Sequence, residues 1–167
     1  LFGDRLRFDW KRERWLRWAE HLWTPATDGD LTALAKRAAR ERYVAAGKAD
    51  DLESRKWAFG SESKGRVEAA LYFARAEQPI SDPGDGWDGD PMILGCPNGV
   101  VELATGTFRS GRPEDKVTLQ VGVPYDPQAE CPRWVQFLEE VFGGDADLIN
   151  FVWRAVGYSL TGSTKSQ

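Results

Sequence analysis

The middle of this 167-residue chain contains a segment that neither a regular helix nor a regular strand can cross. Residues 78–91 hold three prolines and three glycines in fourteen positions. Proline removes a backbone donor and glycine loses the most entropy on ordering, so this segment predicts an irregular connection. The chain is long enough for one domain of ordinary size or for two very small ones.

Two kinds of periodicity precede the connection. Leu6, Phe8 and Trp10 alternate with charged residues, and aromatic residues resume at Trp15 after a charged turn, which predicts a short β-meander within residues 1–24. From residue 30 the apolar spacing becomes helical and predicts three helices within residues 30–76. Asp28 or Asp30 is expected to cap the first of these helices, and Ser61 or Ser63 to begin the third.

The segments after the connection predict hairpins and then helices again. Apolar runs on both sides of Asn98-Gly99 predict a hairpin with a tight primed turn, and the alternation over 116–123 predicts another strand. Pro132 begins an apolar helical pattern that Gly143-Gly144 divides in two. The sequence thus predicts an α+β fold, with a Trp-rich N-terminal meander, central helices, a hairpin segment and two C-terminal helices.

Charge is distributed unevenly along the chain. Residues 1–76 carry 16 Lys and Arg against 12 Asp and Glu, whereas residues 77–167 carry 6 against 14, so net charges of +4 and −8 follow. This asymmetry allows a basic face for an anionic partner and an acidic region that is either solvated or complementary to a neighbour. No apolar run is long enough for a membrane helix, and the Arg- and Trp-rich start is unlike a secretory signal.

Few residues suit metal binding or acid–base chemistry. Cys96 and Cys131 are far apart in sequence and His21 is the single histidine, so the common zinc ligand sets cannot be assembled. We expect two buried thiols in a reducing cytoplasm; a disulfide between them is the alternative. The spacing of the aspartates in the central connection does not fit an EF-hand loop, which favours a solvated acidic loop over a calcium site. No carboxylate is singled out as catalytic.

The succession of short motifs resembles the helicase-associated domain of phage and plasmid primase-helicases, a family that includes poxvirus members. The motifs are Asn-Gly-Val-Val-Glu-Leu-Ala-Thr-Gly over 98–106, Val-Pro-Tyr-Asp-Pro over 123–127, Cys131-Pro132, Gly144-Asp145, and Gly-Tyr-x-Leu-Thr-Gly over 157–162. The opening with Trp15, Trp18 and Trp23 resembles the Trp-rich opening of the same domain, so the resemblance spans most of the chain.

The resemblance implies that residues 1–167 form one helicase-associated domain between a primase and a superfamily 3 helicase. Its expected parts are a β part (1–24), a helical part (30–76), a hairpin part (92–123) and the C-terminal helices (132–159), and the following ATPase domain is expected to be absent from this chain. The start at Leu1 likewise suggests that the chain is cut from something longer.

The resemblance also implies a function in the DNA replication of phages, plasmids and related mobile genetic elements. The parent is expected to be an ATP-dependent, Mg²⁺-requiring DNA helicase, hexameric and in some forms fused to a primase, whereas this fragment is expected to be noncatalytic and to hold no cofactor or metal. Its expected partners are the parent's own helicase and primase domains and single-stranded DNA, with no membrane. The expected location is the cytoplasm of a bacterial or phage-infected cell.

One motif near the end only imitates a nucleotide-binding loop. Gly157 and Gly162 have the spacing of the two glycines of a Walker A loop, but Lys165 and Ser166 follow two positions too late. The apolar pattern before Gly157 indicates a residue that ends a helix, so we predict no nucleotide site here.

The basic, aromatic-rich start is the best candidate for a binding site, because cations that contact phosphates and aromatic rings that stack on bases are the mixture typical of single-stranded DNA binding. The alternative is that the aromatic residues form the core and the charges solvate its outer side, which the interspersed acids favour. A second basic patch lies on the first helix. The candidate DNA-binding residues are Arg5, Arg7, Lys11, Arg12, Arg14, Trp15, Arg17, Trp18, Lys36, Arg37 and Arg40.

Two other functions stay open at this stage. The first is a protein-interaction domain that recruits a replication partner without touching DNA, in which case the acidic half meets a basic partner or the following ATPase domain. The second is a hydrolase that uses unidentified carboxylates, for which a cleft with two acids of perturbed proton affinity is required.

Overall fold

A computed structural model of the chain describes residues 3–48 and 52–164. Within these ranges the fold is α+β, as predicted, with five α-helices and two β-sheets. The chain divides into two compact units, the first made of Leu1–Ala19 and Trp23–Asp85 and the second of Glu20–Leu22 and Gly86–Gln167. That the whole chain acts as one domain stays a prediction.

The predicted Trp-rich meander is the first sheet. Its strands are β1 (Leu6–Asp9), β2 (Arg14–Ala19) and β3 (Leu22–Pro25), and the order β3-β2-β1 continues to a two-residue strand, β4 (Ser81–Asp82). β1 and β2 are antiparallel, and Phe8 lies opposite Trp15. β4 lies inside the predicted irregular connection and runs parallel to β1. Two residues are too few to show the periodicity from which a strand is predicted.

The core of the first unit lies between this sheet and its helices. Leu6, Phe8, Trp15 and Leu31 form a buried cluster, against which Leu34, Leu71, Ala74 and Ile80 pack. Alternate residues of a strand point to one face, so Leu6 and Phe8 of β1 cover the core together. The alternation in the sequence thus specified the buried face of the meander.

Three helices complete the first unit, namely α1 (Asp28–Lys48), α2 (Leu52–Gly60) and α3 (Lys64–Ala74). Ser63 occupies the N-cap position of α3, one of its two predicted starts. The predicted cap of α1 is wrong. Thr27 caps α1: its hydroxyl oxygen accepts a hydrogen bond from the Asp30 N–H, while the Asp30 carboxylate accepts one from the Thr27 N–H. This reciprocal arrangement is a capping box, and Asp30 is its third helical residue.

The second unit contains the predicted hairpin segment as a sheet of β5 (Ile93–Cys96), β6 (Gly99–Glu102) and β7 (Thr107–Arg109), in the order β5-β6-β7. Cys96 lies opposite Gly99, so the first turn centres on Pro97 and Asn98 rather than on the predicted Asn98-Gly99. Neither Pro97 nor Asn98 has a positive φ, and the turn is therefore not of the primed type. Proline favours the first central position of an ordinary turn.

The predicted strand over 116–123 is wrong. Its segment forms no strand in the described structure, and a backbone hydrogen bond from the Val121 N–H to the Gly95 carbonyl at 2.9 Å joins it to β5. The Asp88 carboxylate instead accepts hydrogen bonds from the backbone N–H groups of Thr118 and Leu119. Side-chain capture of these donors replaces the ladder that the alternation predicted.

The two predicted C-terminal helices are α4 (Pro132–Phe142) and α5 (Ala146–Ser159). Proline at the first turn and a left-handed Gly143 delimit α4, and the Asp145 carboxylate caps α5 by accepting from the Asp147 and Leu148 N–H groups. Gly157 lies within α5 rather than after it. Among the described residues, no helix combines the length and apolar character needed to cross a bilayer.

The two cysteines differ in their surroundings. Both are free thiols, so the alternative of a disulfide is wrong, and Cys96 is buried as expected. Burial raises the pKa of the Cys96 thiol. Cys131 is exposed at the N-cap position of α4, which corrects the expectation of two buried thiols.

Candidate interaction surfaces

The aromatic residues of the first sheet are mainly core. Trp15 is 8% exposed and packs edge-to-face on Phe8 with a centroid distance of 5.2 Å, so it lacks the open ring face that base stacking requires. Trp18 is half-buried and packs edge-to-face on the buried Trp23. Trp10, in contrast, is 47% exposed. Trp15 is therefore part of the core of the first unit, and a role for it in DNA binding stays a prediction.

Two of the predicted DNA-binding arginines hold a buried carboxylate. Asp9 is 0% exposed, and its Oδ2 lies 3.0 Å from Arg12 Nη1 and 3.4 Å from Arg14 Nε. The Arg12 backbone N–H also donates to Asp9 Oδ1, and Arg12 Nη1 donates to the Gly84 carbonyl. A buried charge without partners is costly, so these arginines are needed in the fold whatever else they bind.

Gly84 is required beside this carboxylate. Its φ is +95°, and a Cβ at this position would collide with Asp9 Oδ1 and with the Lys11 side chain. The Gly84 N–H donates to Asp82 Oδ1 at 2.8 Å, which ties the loop after β4 in place. The glycine-rich connection thus brings its backbone against the buried ion pair of the sheet.

The other sheet cations also have partners. Arg7 donates to the Leu6 carbonyl and lies 5.0 Å from the centroid of the Trp23 ring. Lys11 pairs with Asp85 at 3.2 Å, and Arg17 with Asp30 at 3.5 Å. Hydrogen bonds from Thr27 and then the charge of Arg17 hold the pKa of Asp30 below its ordinary value.

The helical basic patch is similarly paired. Arg37 donates to Glu41 one turn further along α1, and Arg40 forms a two-point contact with Glu62 at 2.9 and 3.0 Å. The Arg40 hydrogen bonds lower the pKa of Glu62, and Lys36 contributes to the same shift. Six of the predicted cations therefore form ion pairs with carboxylates, and contact of the predicted cations with DNA stays a prediction.

A large apolar surface on the C-terminal helices was not predicted. Val135, Phe137 and Val141 of α4 and Leu148, Phe151 and Trp153 of α5 are exposed, as are Val156, Tyr158 and Leu160. We call these nine residues the C-terminal apolar surface. The amphipathic periodicity of both helices was visible in the sequence, but it does not show whether the apolar face is covered.

The two helices support this surface by packing on each other. The Trp134 and Trp153 rings meet edge-to-face with centroids 6.4 Å apart, and Trp134 stacks on Phe137. Leu138 of α4 is 1% exposed, whereas Phe151 of α5 is 62% exposed. The two helices therefore carry apolar side chains that packing within the second unit does not bury.

A groove lined by alanines lies on the first unit, with a volume of about 570 Å³. α1 contributes Ala35, Ala38 and Ala39, and α3 contributes Ala69, Ala70 and Ala74. Arg42, Arg66 and Trp57 also line it, and its described lining includes no carboxylate. We call this feature the alanine groove; its small side chains leave room for large ones.

A cleft of about 460 Å³ in the second unit includes three acids, Asp88, Asp90 and Asp115. Asp115 receives two hydrogen bonds from the Arg109 guanidinium, at 2.7 and 2.9 Å, and Glu102 receives a third. Arg109 lowers the pKa of Asp115, and the two carboxylates raise that of Arg109. Because Arg109 keeps the Asp115 carboxyl ionised, Asp115 does not suit the role of a general acid.

The aspartates of the central connection act within the protein. Asp85 pairs with Lys11, Asp88 holds the 118–119 backbone, and Asp90 accepts from the Met92 N–H. Within residues 3–48 and 52–164, no group of three or more His, Cys, Asp and Glu side chains is arranged to hold a metal ion. Lys165 and Ser166, which follow the two glycines with Walker A spacing, lie outside the described residues.

Comparison with known proteins agrees with the motif order. The family described as D5 N terminal like matches residues 1–143. A protein named Putative helicase 184R, from Invertebrate iridescent virus 6, is 31% identical over 101 aligned positions, which cover 47% of this chain and 10% of the viral protein. The chain thus spans about a tenth of the length of this curated relative.

The family match covers most of the two units described above, from the Trp-rich sheet to the end of α4. It confirms the resemblance to the helicase-associated domain of primase-helicases at the level of the family. The chain belongs to the D5 N-terminal-like family and is a replication-associated module.

Proposed function

We propose that this chain is a noncatalytic module of a phage- or plasmid-type primase-helicase, where it links the primase to the helicase and supports helicase assembly. The observation that carries the proposal is the C-terminal apolar surface. Monomeric proteins rarely expose contiguous apolar patches of many large residues unless the patch binds something. A module whose most distinctive surface is apolar is suited to protein contacts.

The chemistry of the second-unit cleft also supports a noncatalytic role. Its acid with a shifted pKa, Asp115, is shifted downward by Arg109, and this pairing links β7 to the turn that follows it. The hydrolase alternative needs an acid whose pKa is raised toward neutrality beside an ionised one. The arrangement favours a structural ion pair.

The test uses the replication protein that contains this chain. Phe151→Glu places a charge on the C-terminal apolar surface, and Asn150→Glu places the same charge on the neighbouring exposed position of α5. We expect Phe151→Glu to lower the assembled mass measured by light scattering and the ATP turnover that depends on assembly, while Asn150→Glu leaves both unchanged. Equal assembly by the two variants contradicts the proposal.

Guidance of single-stranded DNA is a second candidate, favoured by one exposed group on the first sheet. Trp10 packs edge-to-face on Phe8 but remains 47% exposed next to Lys11, whose side chain is exposed although it pairs with Asp85. Exposed ion pairs contribute little to stability, so a phosphate can displace Asp85 from Lys11 at small cost. An aromatic ring next to a cation suits a base and its phosphate.

This candidate is tested by fluorescence anisotropy of single-stranded DNA across a salt series. Lys11→Ala and Trp10→Ala are the informative variants, because Arg12, Arg14 and Trp15 are needed for the fold. Affinity that falls with salt and weakens in both variants supports DNA guidance. Absence of binding at low salt supports instead a module that recruits a replication partner without contact to DNA.

A further inference from the structure

The alanine groove of the first unit has the spacing of small residues on which helices pack. Ala35, Ala38 and Ala39 of α1 are related as i, i+3 and i+4, and Ala70 and Ala74 of α3 as i and i+4. Residues at these spacings lie on one face of a helix, so each helix contributes a row of small side chains. Larger side chains of another helix pack into such rows.

The described wall of the groove is mostly apolar. Leu34 and Leu71 join the alanines, and Ser61, Arg42 and Arg66 are its polar members. The volume of about 570 Å³ is sufficient for several apolar side chains. Apolar side chains that enter this space leave water, and their burial favours binding.

Two arginines without a carboxylate partner border the groove. Arg42 lies over the Trp57 ring, 5.5 Å from its centroid. Arg66 packs against Gly60, where an added Cβ would collide with the Arg66 guanidinium. Among the described residues neither arginine forms an ion pair, and both are exposed. Their guanidinium groups can therefore meet the carboxylates of a partner.

The acids of the same region do not cancel this charge at the groove. Residues 28–74 hold nine Lys and Arg and eight Asp and Glu, so the placement of the charges matters more than their sum. Three of the acids are held in the ion pairs Arg37–Glu41, Arg40–Glu62 and Lys64–Glu68. The described lining of the groove contains no acid. The groove thus combines apolar surface with unpaired positive charge.

We propose that the alanine groove binds an amphipathic helix of a partner protein, with the apolar side chains of that helix in the groove and its acidic side chains against Arg42 and Arg66. In this mode of recognition the apolar anchors supply affinity, and the flanking charges select the partner. The contact is separate from the C-terminal apolar surface. It therefore goes beyond the proposed assembly function and does not depend on it.

Single-stranded nucleic acid fits the groove less well. Bases stack on open aromatic faces, and the aromatic ring in the described lining, Trp57, already has Arg42 over it. The alanine methyl groups offer a base neither a stacking face nor a hydrogen bond. An acidic amphipathic helix uses both the apolar rows and the two cations.

The test measures binding of three fluorescein-labelled synthetic peptides to the 167-residue chain by fluorescence anisotropy. Each peptide has about 20 residues, enough for several helical turns. The acidic peptide carries leucines on one helical face and glutamates beside them. A second peptide has lysines in place of the glutamates. A third has the composition of the acidic peptide, but its leucines are spread over all faces.

One substitution blocks the groove, and two others serve as controls. Ala70→Glu places a charge in the groove at an exposed position of α3. Ala33→Glu places the same charge at an exposed position of α1 outside the described lining, and Phe151→Glu places it on the C-terminal apolar surface. Circular dichroism and thermal unfolding verify that each variant is folded.

A second pair of variants tests the cations. Arg42→Gln/Arg66→Gln removes the two unpaired charges of the groove. Lys48→Gln/Lys56→Gln removes two exposed charges outside the described lining and is the matched control. A groove that selects acids through Arg42 and Arg66 loses affinity in the first variant alone.

We expect the wild type to bind the acidic peptide and to bind the other two peptides at least about tenfold more weakly. Ala70→Glu and Arg42→Gln/Arg66→Gln are expected to weaken binding of the acidic peptide by a similar factor, because each removes charge complementarity. The three control variants are expected to bind it as the wild type does.

Four results overturn the proposal. They are no binding of the acidic peptide, equal binding of either other peptide, equal binding by Ala70→Glu and the wild type, and binding of a single-stranded oligonucleotide in place of the acidic peptide. Assembly of the full replication protein is measured separately with Phe151→Glu. Failure of the groove contact is therefore distinguishable from failure of the proposed function.

Discussion

The first sheet and the C-terminal helix pair are both rich in aromatic residues, but they use them in opposite ways. Phe8, Trp15 and Trp23 are buried in the first unit, where Arg12 and Arg14 pair with the buried Asp9 carboxylate. Phe151, Trp153 and Tyr158 of α5 are exposed. The difference shows that a segment rich in aromatic residues predicts apolar area that will be buried. It does not show whether that area is buried within the fold or against a partner.

Truncating one aromatic residue in each region tests whether the first is core and the second is surface. Trp15→Ala removes a ring from the core cluster of the first unit and is expected to lower the free energy of unfolding by about 4 kcal/mol. Phe151→Ala removes an exposed ring and is expected to change it by about 0.5 kcal/mol. Urea unfolding measures both, and similar losses would contradict the assignment of core and surface.

The buried ion pair of the first sheet provides the next largest effect. Arg12→Ala/Arg14→Ala leaves the Asp9 carboxylate buried without its cations, and we expect a loss of about 3 kcal/mol. Arg37→Ala, which breaks an exposed pair with Glu41, is the control and is expected to cost about 0.5 kcal/mol. If the double variant is as stable as the control variant, Arg12 and Arg14 are not required for the fold and are available to bind a ligand.

The second unit has its own paired arginine, and its contribution depends on pH. Asp115→Asn weakens the two-point contact with Arg109 and is expected to cost about 2 kcal/mol at neutral pH. The folded-state pKa of Asp115 lies below the ordinary value of 3.8, so its stabilisation is present above that value and is lost as pH falls through the folded pKa.

Thermal unfolding of wild type and Asp115→Asn as a function of pH checks this prediction. The difference in stability between the two proteins is expected to be largest near neutrality and to shrink below about pH 4. A difference that is constant, or that grows on acidification, would show that the carboxylate charge is not what stabilises the β7 region.

The smallest expected effect on stability belongs to Phe151→Glu in dilute, monomeric protein. The side chain is exposed, so exchanging it for glutamate is expected to change the free energy of unfolding by about 0.5 kcal/mol or less. The same substitution is expected to impair assembly of the replication protein that contains this chain. A large loss of stability in the monomer would show that Phe151 belongs to a core rather than to an interface.

Local chemistry made several elements predictable. The alternation of Leu6, Phe8 and Trp10 gave the first strand, and Pro132 and Asp145 marked the starts of α4 and α5. The α+β class and the family resemblance followed from such signals and are confirmed. Each signal acts over a few residues, so one sequence window contains it.

The features that sequence missed depend on residues far apart in the chain. The 116–123 segment alternates like a strand, but Asp88, about thirty positions away, takes two of its backbone donors. Trp15 and Phe151 are both aromatic residues in periodic segments, and only the assembled units decide which is covered. The alanine groove likewise joins α1 to α3 and has no local motif.

Hydroxyl-radical footprinting of the isolated chain and of the assembled replication protein, each at several concentrations, reports the exposure of the aromatic residues of both regions in one sample. We predict that Trp15 and Trp23 are protected at every concentration. Phe151 and Tyr158 are predicted to react strongly in the isolated chain and to become protected in the assembled replication protein. Strong reaction of Trp15, or equal reactivity of Phe151 in the isolated chain and in the assembled protein, would show that the buried and the contact-forming aromatic residues are assigned wrongly.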